Sequence, residues 1–164
     1  MSWYLLLRFL HILSSIVFIG GIFARQAVRS RGKKATSIRE LEAYFSAAGQ
    51  IEKLMVIPGN MAVIVFGVIL AIMMKAPIFG FLQGASQNWL LVTNLMLVAG
   101  GLMVPLVFLP RGKIFDRLMQ DALGRDEITS ELRSHLDDAV VKRAHFLEMF
   151  LVVVIVILMV FKPF

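Results

Sequence analysis

Four long apolar runs constrain this chain more than any other feature of its sequence. They cover residues 3–24, 54–74, 89–109 and 144–162. Each has the length of roughly 20 residues that an α-helix needs to cross about 30 Å of hydrocarbon. Because lipid cannot satisfy backbone N–H and C=O groups, each run must be helical. The sequence therefore predicts an all-α fold, an integral membrane four-helix bundle formed as a single domain by residues 1–164.

The basic residues predict the orientation of these spans. Fourteen of the 17 Lys and Arg residues surround the first and third loops. They are Arg25, Arg29, Arg31, Lys33, Lys34, Arg39 and Lys53, then Arg111, Lys113, Arg117, Arg125, Arg133, Lys142 and Arg143. By the positive-inside rule these loops are cytoplasmic and both termini lie outside, N-out and C-out. The net charge of +6 then reflects topology and attraction to anionic lipid headgroups, and not nucleic-acid binding.

Both inner loops carry patterns typical of amphipathic helices. In the first loop, a capping-box pattern from Ser37 to Glu40 indicates the start of a helix that runs toward the second span. In the second, apolar residues recur at a spacing of four between positions 126 and 143: Ile128, Leu132, Leu136 and Val140. Pro58, about one turn inside the second span, predicts a kink.

The chain contains no cysteine. Disulfides, thiolate metal sites, iron–sulfur ligation and cysteine catalysis are therefore excluded. The sequence also contains no Ser-His-Asp grouping, phosphate loop, metalloprotease motif or paired-carboxylate site.

Arg8 and His11 are the ionisable residues that the first span carries at membrane depth. They lie three residues apart and share one face of a helix, and such groups usually face the interior of a bundle. A neutral imidazole is a common haem-iron ligand, and a nearby cation can pair with a porphyrin carboxylate. His11 is therefore a candidate ligand of haem iron. The alternatives are a hydrogen bond from His11 to a neighbouring helix and extension of Arg8 to the outer headgroups.

Depth along the helices decides which other residues could join His11. His145 lies about 20 Å away at the inner end of the fourth span, so one haem cannot bridge the two histidines. Met96 on the third helix and Gly67 on the second fall near the level of His11. Met96 is a candidate axial ligand, and Gly67 would let a flat ring or another helix approach closely.

Near the inner boundary, structural ion pairs are predicted among five residues, with Arg25 the expected partner of Glu148: Arg25, Glu52, Lys53, Arg143 and Glu148. His135 belongs to the second inner loop, where we expect it to be solvated.

Three segments resemble a known superfamily. Residues 5–12, with Gly21 and Arg25 downstream, resemble the first helix of the bacterial HemJ-type membrane protoporphyrinogen oxidases. The stretch from Ile51 to Leu54, with Pro58, Met61 and Gly67, resembles their second helix, and residues 157–164 resemble their closing segment. The same marks, particularly His11, Pro58-Gly59 and the final Lys162-Pro163, also resemble a related family of predicted integral membrane proteins of unknown function, the domain of unknown function 2269 type.

The resemblance implies a compact four-helix bundle in the bacterial inner membrane, with haem b or a porphyrin bound near His11. The family's functional histidine and basic residue correspond to His11 and Arg8. Two departures weigh against the oxidase activity. The oxidases carry a basic residue early in the third helix, where this chain has Thr93-Asn94, and a histidine later, where it has Gly101-Leu102-Met103.

Two functions therefore compete. The first is a redox protein that binds haem or a porphyrin at His11; if it is an enzyme, it is an oxidoreductase of the protoporphyrinogen oxidase type. The second is a non-enzymatic accessory subunit, either in a homo-oligomer or in a larger membrane complex. Transport is the weaker third class, because four spans without a repeat or a midplane charge cluster offer little pathway.

Overall fold

The computed structural model describes residues 2–164, and helices account for nearly all of this range. Seven α-helices follow in order: α1 (Trp3–Gly32), α2 (Ile38–Ile51), α3 (Ile57–Met73), α4 (Trp89–Met103), α5 (Leu109–Arg125), α6 (Ser130–Leu136) and α7 (Ala139–Phe161). They form four long helical segments: Trp3–Gly32, Ile38–Met73, Trp89–Arg125 and Ser130–Phe161. Each is long and apolar enough to cross a membrane. This confirms the predicted all-helical fold with four spans.

Helix α1 is longer than the span predicted for it. Its 30 residues extend about 45 Å, roughly 15 Å more than the hydrocarbon thickness. The helix therefore continues past Ala24 as one rod and carries Arg25 and Arg29 beyond the apolar run. It ends at Gly32, where an added Cβ would lie only 2.8 Å from the Cβ of Tyr44 on α2.

Helix α2 begins at the predicted capping box. The Ser37 hydroxyl accepts a hydrogen bond from the Glu40 N–H at 3.2 Å, and the Glu40 carboxylate accepts one from the Thr36 N–H at 3.2 Å. These bonds satisfy backbone donors that the first turn of a helix leaves free. From there the chain runs into α3 without a loop.

A π-helical turn, Glu52–Val56, joins α2 to α3 immediately before Pro58. Proline has no N–H to donate and crowds the preceding turn, and the wider π turn accommodates both effects. The same device joins α4 to α5, where a π turn over Val104–Phe108 contains Pro105 and is followed by Pro110. The helix therefore continues through these prolines.

The helix predicted between residues 126 and 143 is interrupted in the structure. Helix α6 begins only at Ser130, so Ile128 lies outside it. It ends at Leu136, and α7 begins at Ala139 after Asp138. The Asp138 carboxylate accepts hydrogen bonds from the N–H groups of Val140 and Val141 at 2.7 and 3.4 Å. This cap starts a new helix, so Val140 does not share a buried face with Leu132; its side chain is 44% exposed.

The long helices pack in two pairs, α1 with α3 and α4 with α7, and α1 also contacts α7. Large apolar side chains cover the outside, among them Phe9, Ile16 and Val160, which are 59–67% exposed. Such an outer surface requires contact with the lipid bilayer. At the end that carries the basic loops, α2, α5 and α6 close a small apolar core: Ala35, Ile38, Leu41, Met119, Ala122, Leu132 and Leu136.

Candidate functional site

A cavity of about 650 Å³ lies between the two helix pairs and is lined from α1, α3, α4 and α7. We call it the interhelix cavity. Arg8, His11 and Gly67 all line it. Met96 is not among the lining residues, and the neighbouring Leu97 is. The structure thus brings together three of the four residues predicted to surround a cofactor.

His11 is held in the wall of this cavity by its contact with α3. Its Nδ1 lies 3.1 Å from the carbonyl oxygen of Val63, so the structure contains the hydrogen bond to a neighbouring helix that was the alternative predicted for His11. Because a carbonyl oxygen can only accept, Nδ1 carries the proton and donates, which leaves the lone pair on Nε2. Within residues 2–164, Nε2 has no hydrogen-bond partner. Metal-binding histidines are commonly oriented by a hydrogen bond of this kind from the other ring nitrogen.

Gly67 makes the close approach of His11 to α3 possible. A Cβ at this position would lie 3.1 Å from the His11 Cε1 and 3.5 Å from Nδ1. Any larger residue would therefore push the imidazole away from Val63. The close approach that Gly67 permits is made by the imidazole of His11, and its role toward a cofactor stays a prediction.

One end of the interhelix cavity is cationic and aromatic. Lys162 lines it together with Arg8, and Tyr4 and Trp89 contribute aromatic walls. The Lys162 Nζ lies 5.2 Å from the centroid of the Trp89 ring, within the range of a cation–π interaction. The sequence contained a signal for this: Arg8 and Lys162 are two of the three basic residues outside the basic loops.

The interhelix cavity has the volume and the lining of a small-molecule site. The volume of about 650 Å³ lies within the range of roughly 300–1,000 Å³ for small-molecule sites. The walls are mainly apolar, as the body of a flat macrocycle requires. His11 offers an imidazole nitrogen, and Arg8 and Lys162 offer two charges for two carboxylates. Among residues 2–164 no cluster of three His, Cys, Asp or Glu side chains could hold a bare metal ion.

One family of known proteins matches almost the whole chain. The profile of the family described as Predicted integral membrane protein (DUF2269) matches residues 5–163. The chain belongs to this family. No curated protein and no solved structure matches it. The matched range contains every residue of the DUF2269 protein that lines the interhelix cavity except Tyr4.

A buried ion network lies at the other end of the DUF2269 bundle. Arg25 is only 4% exposed and pairs with both Glu52 and Glu148, the residues predicted to surround it. Glu148 also lies 3.2 Å from Nδ1 of His145, whose Nε2 lies 2.8 Å from Nη1 of Arg29. Arg29 donates to Nε2, so Nδ1 carries the proton and donates to Glu148. The network joins α1, the π turn after α2, and α7.

His135 is placed differently from the prediction for this DUF2269 protein. It was expected to be solvated, but it is partly buried and its Nε2 donates to the carbonyl oxygen of Arg111 at 3.1 Å. Its ring also lies near that of Phe115, with the centroids 6.3 Å apart. His135 is partly buried because α6 packs against α5. The spacing of apolar residues in the sequence does not show this tertiary contact.

Proposed function

We propose that this membrane protein binds haem b, or a closely related porphyrin, in the interhelix cavity, with His11 as the ligand of the iron. One observation carries the proposal. A histidine whose Nδ1 donates to the Val63 carbonyl, and whose Nε2 is left free, lines a cavity of suitable volume. Arg8 and Lys162 support it, because they can neutralise the two carboxylates of such a ring.

The protein's own residues would bind and orient the cofactor. The Val63 carbonyl fixes the imidazole tautomer, Gly67 sets the distance of the ring from α3, and the apolar walls exclude water. A bound haem would supply one-electron redox chemistry. We favour this role over oxidation of protoporphyrinogen. Thr93, which stands where the oxidases carry a basic residue, is fully buried and its hydroxyl donates to the Trp89 carbonyl at 2.9 Å.

The decisive experiment is an absorption spectrum of the full chain, purified in mild detergent and then supplied with haem. We expect a Soret band that His11→Ala removes and that the matched control His135→Ala keeps. Circular dichroism checks that both variants remain helical. A wild-type protein that gives no Soret band with supplied haem, or a band unchanged by His11→Ala, contradicts the proposal.

The alternative is an accessory subunit that binds no cofactor. It predicts no haem band and predicts recovery of a defined partner, or of a second copy of the chain, after crosslinking in native membranes. The spectrum therefore separates the two functions directly.

We further infer a location in the bacterial inner membrane with both termini on the outer face. The charge distribution supports the orientation, since the fourteen clustered basic residues surround the loops at one end of the bundle. The resemblance to bacterial membrane oxidases supports the choice of membrane.

A further inference from the structure

A second cavity, which we call the basic pocket, lies at the opposite end of α1 from His11. Its volume is about 140 Å³. The basic side chains that line it are Arg29, Lys33, Arg111, Lys142, His135 and His145, and no Asp or Glu lines it. Eighteen residues of α1 separate His11 from Arg29, a rise of about 27 Å. The basic pocket is therefore distinct from the interhelix cavity and does not depend on the function proposed there.

Two of its four Lys and Arg side chains are compensated by carboxylates outside the pocket. Arg111 pairs with Asp138 at 2.8 Å, and Lys33 approaches Asp137 at 4.0 Å. Arg29 and Lys142 have no carboxylate within 4.0 Å among residues 2–164. Arg29 reaches a carboxylate only indirectly, through His145 to Glu148, and Lys142 contacts none among the described residues. The pocket lining therefore carries more cationic groups than directly contacting carboxylates.

Arg29 is fixed in place by its neighbours. Its Nη1 donates to His145 at 2.8 Å, and its guanidinium lies 5.9 Å from the centroid of the Phe45 ring. His145 is itself anchored to Glu148 and stacked on Phe108, with ring centroids 4.7 Å apart. A guanidinium fixed before binding loses little conformational entropy when a ligand arrives.

We propose that the basic pocket binds a phosphate group. Guanidinium donors match the geometry of phosphate oxygens, and lysines add point charges around them. The volume of about 140 Å³ is roughly ten times the 10–15 Å³ that one water molecule requires, which leaves room for a phosphate and part of its substituent. Phe108 and Phe115 give the pocket an apolar wall for that substituent.

Two sources could supply this chemistry, the headgroup of an anionic phospholipid and a soluble phosphate compound. The pocket lies at the end of the bundle that carries the basic loops, where the apolar runs meet the polar loops. Basic pockets between transmembrane helices at this level are known to bind acidic headgroups. A free phosphate would use the same contacts, so the experiment must separate the two sources.

The test compares two double variants of the full chain that change the charge equally. Lys33→Gln with Lys142→Gln removes two cations from the pocket lining. Lys34→Gln with Arg143→Gln removes the cations of the two residues that follow Lys33 and Lys142 in the sequence. Neither Lys34 nor Arg143 lines the pocket. Both control residues are exposed. Each protein is purified in an uncharged detergent and checked by circular dichroism.

Binding is measured as saturable thermal stabilisation, with native mass spectrometry to count bound lipids. One arm titrates phosphatidylglycerol against phosphatidylcholine, and the other titrates inorganic phosphate against chloride at equal ionic strength. We expect the pocket variant to bind about tenfold more weakly than wild type, and the control variant to match wild type.

Stabilisation by phosphatidylglycerol alone identifies a lipid site, and stabilisation by inorganic phosphate identifies a site for soluble ligands. Either result supports the proposal. No saturable effect of either ligand, or an equal loss of binding in both double variants, overturns it. If the pocket double variant does not fold, Lys142→Gln against Arg143→Gln gives the same comparison, because both side chains are exposed.

Discussion

At the scale of single residues, Gly67 determines how closely His11 approaches α3 in the wall of the interhelix cavity. In Gly67→Ala the new methyl group would start 3.1 Å from the His11 Cε1, so the imidazole must shift by a few tenths of an ångström. The shift lengthens the hydrogen bond to Val63 that orients the ring. Since such supporting bonds usually change metal affinity 10–100-fold, we expect haem affinity to fall about tenfold.

The measurement is a haem titration followed at the Soret band. Gly101→Ala is the matched control, because nothing lies within 4 Å of its added Cβ. Equal haem affinities in the two variants would show that Gly67 does not position His11.

Glu148 links two other members of the buried ion network. It contacts Arg25 and His145, and its side chain is 18% exposed, against 34% for Glu52. Glu148→Gln leaves the buried Arg25 with one carboxylate and His145 with a weaker acceptor. Removing one member of a buried pair typically costs about 3 kcal/mol of stability, and we expect a loss of that size.

Unfolding in mixed micelles with increasing denaturing detergent measures the effect. Arg143→Gln is the control, since Arg143 is exposed and such surface changes usually stay within about 0.5 kcal/mol. If Glu148→Gln lost no more stability than Arg143→Gln, a structural role for the ion pair between Arg25 and Glu148 would be ruled out.

Part of this site was predictable from the sequence, residue by residue. Arg8 and His11 stood out because a charged or titratable side chain is costly at membrane depth. Counting the rise along the helices also placed Gly67 near His11. For α4 the count indicated the depth of the cavity in the bundle but not which face of the helix lines it. Leu97, and not Met96, lines the cavity, because packing between helices sets the rotation of each helix about its axis.

At the scale of helical elements, glycines mark the close crossing of α1 and the helix formed by α2 and α3. An added Cβ at Gly21 would lie 2.9 Å from the Cβ of Met55, and one at Gly59 would lie 3.0 Å from the backbone of Phe18. Small residues let helix backbones approach in a membrane. Gly21→Ala should therefore force the helices apart and cost about 1–3 kcal/mol.

The neighbouring residue provides the control. An added Cβ at Gly20 meets nothing within 4 Å, so Gly20→Ala should be neutral or stabilise α1 by up to about 1 kcal/mol through helix propensity. Thermal unfolding of the two variants in the same detergent compares them. If Gly21→Ala unfolded at a higher temperature than Gly20→Ala, the close crossing of the helices would be contradicted.

The boundaries of the elements were less predictable than their existence. The long apolar runs located four helices, and Ser37 and Glu40 located the start of α2. The run of Ile128, Leu132 and Leu136 indicated a helix but neither of its ends. Thr129 caps α6 after Ile128, and the break before α7 depends on the Asp138 carboxylate, which caps α7. A capping residue such as Asp138 can lie within one continuous helix or start a new helix, and tertiary contacts select between these two conformations.

At the scale of the whole molecule, the two cavities divide the bundle into two chemically different ends. The interhelix cavity lies between the apolar helix pairs and reaches Trp89. At this end the backbone carbonyl of Phe164 accepts hydrogen bonds from the N–H groups of Asn88 and Trp89 at 2.9 and 3.0 Å. The basic pocket lies beside the apolar core of α2, α5 and α6. The pairing of the helices that creates both spaces was not predictable, because four apolar surfaces in lipid carry no pattern that selects partners.

The orientation of the two ends can be tested directly because the natural chain contains no cysteine. Ser86→Cys places one thiol in the loop between α3 and α4, and Ser134→Cys places one on α6; both positions are exposed. If both termini face outward, a membrane-impermeant maleimide added to intact cells labels Ser86→Cys at once. It labels Ser134→Cys only after the membrane is opened, because the basic loops are then inside. The cysteine-free wild type measures background labelling. The reverse order of labelling would show that the end of the bundle with the basic pocket faces outward.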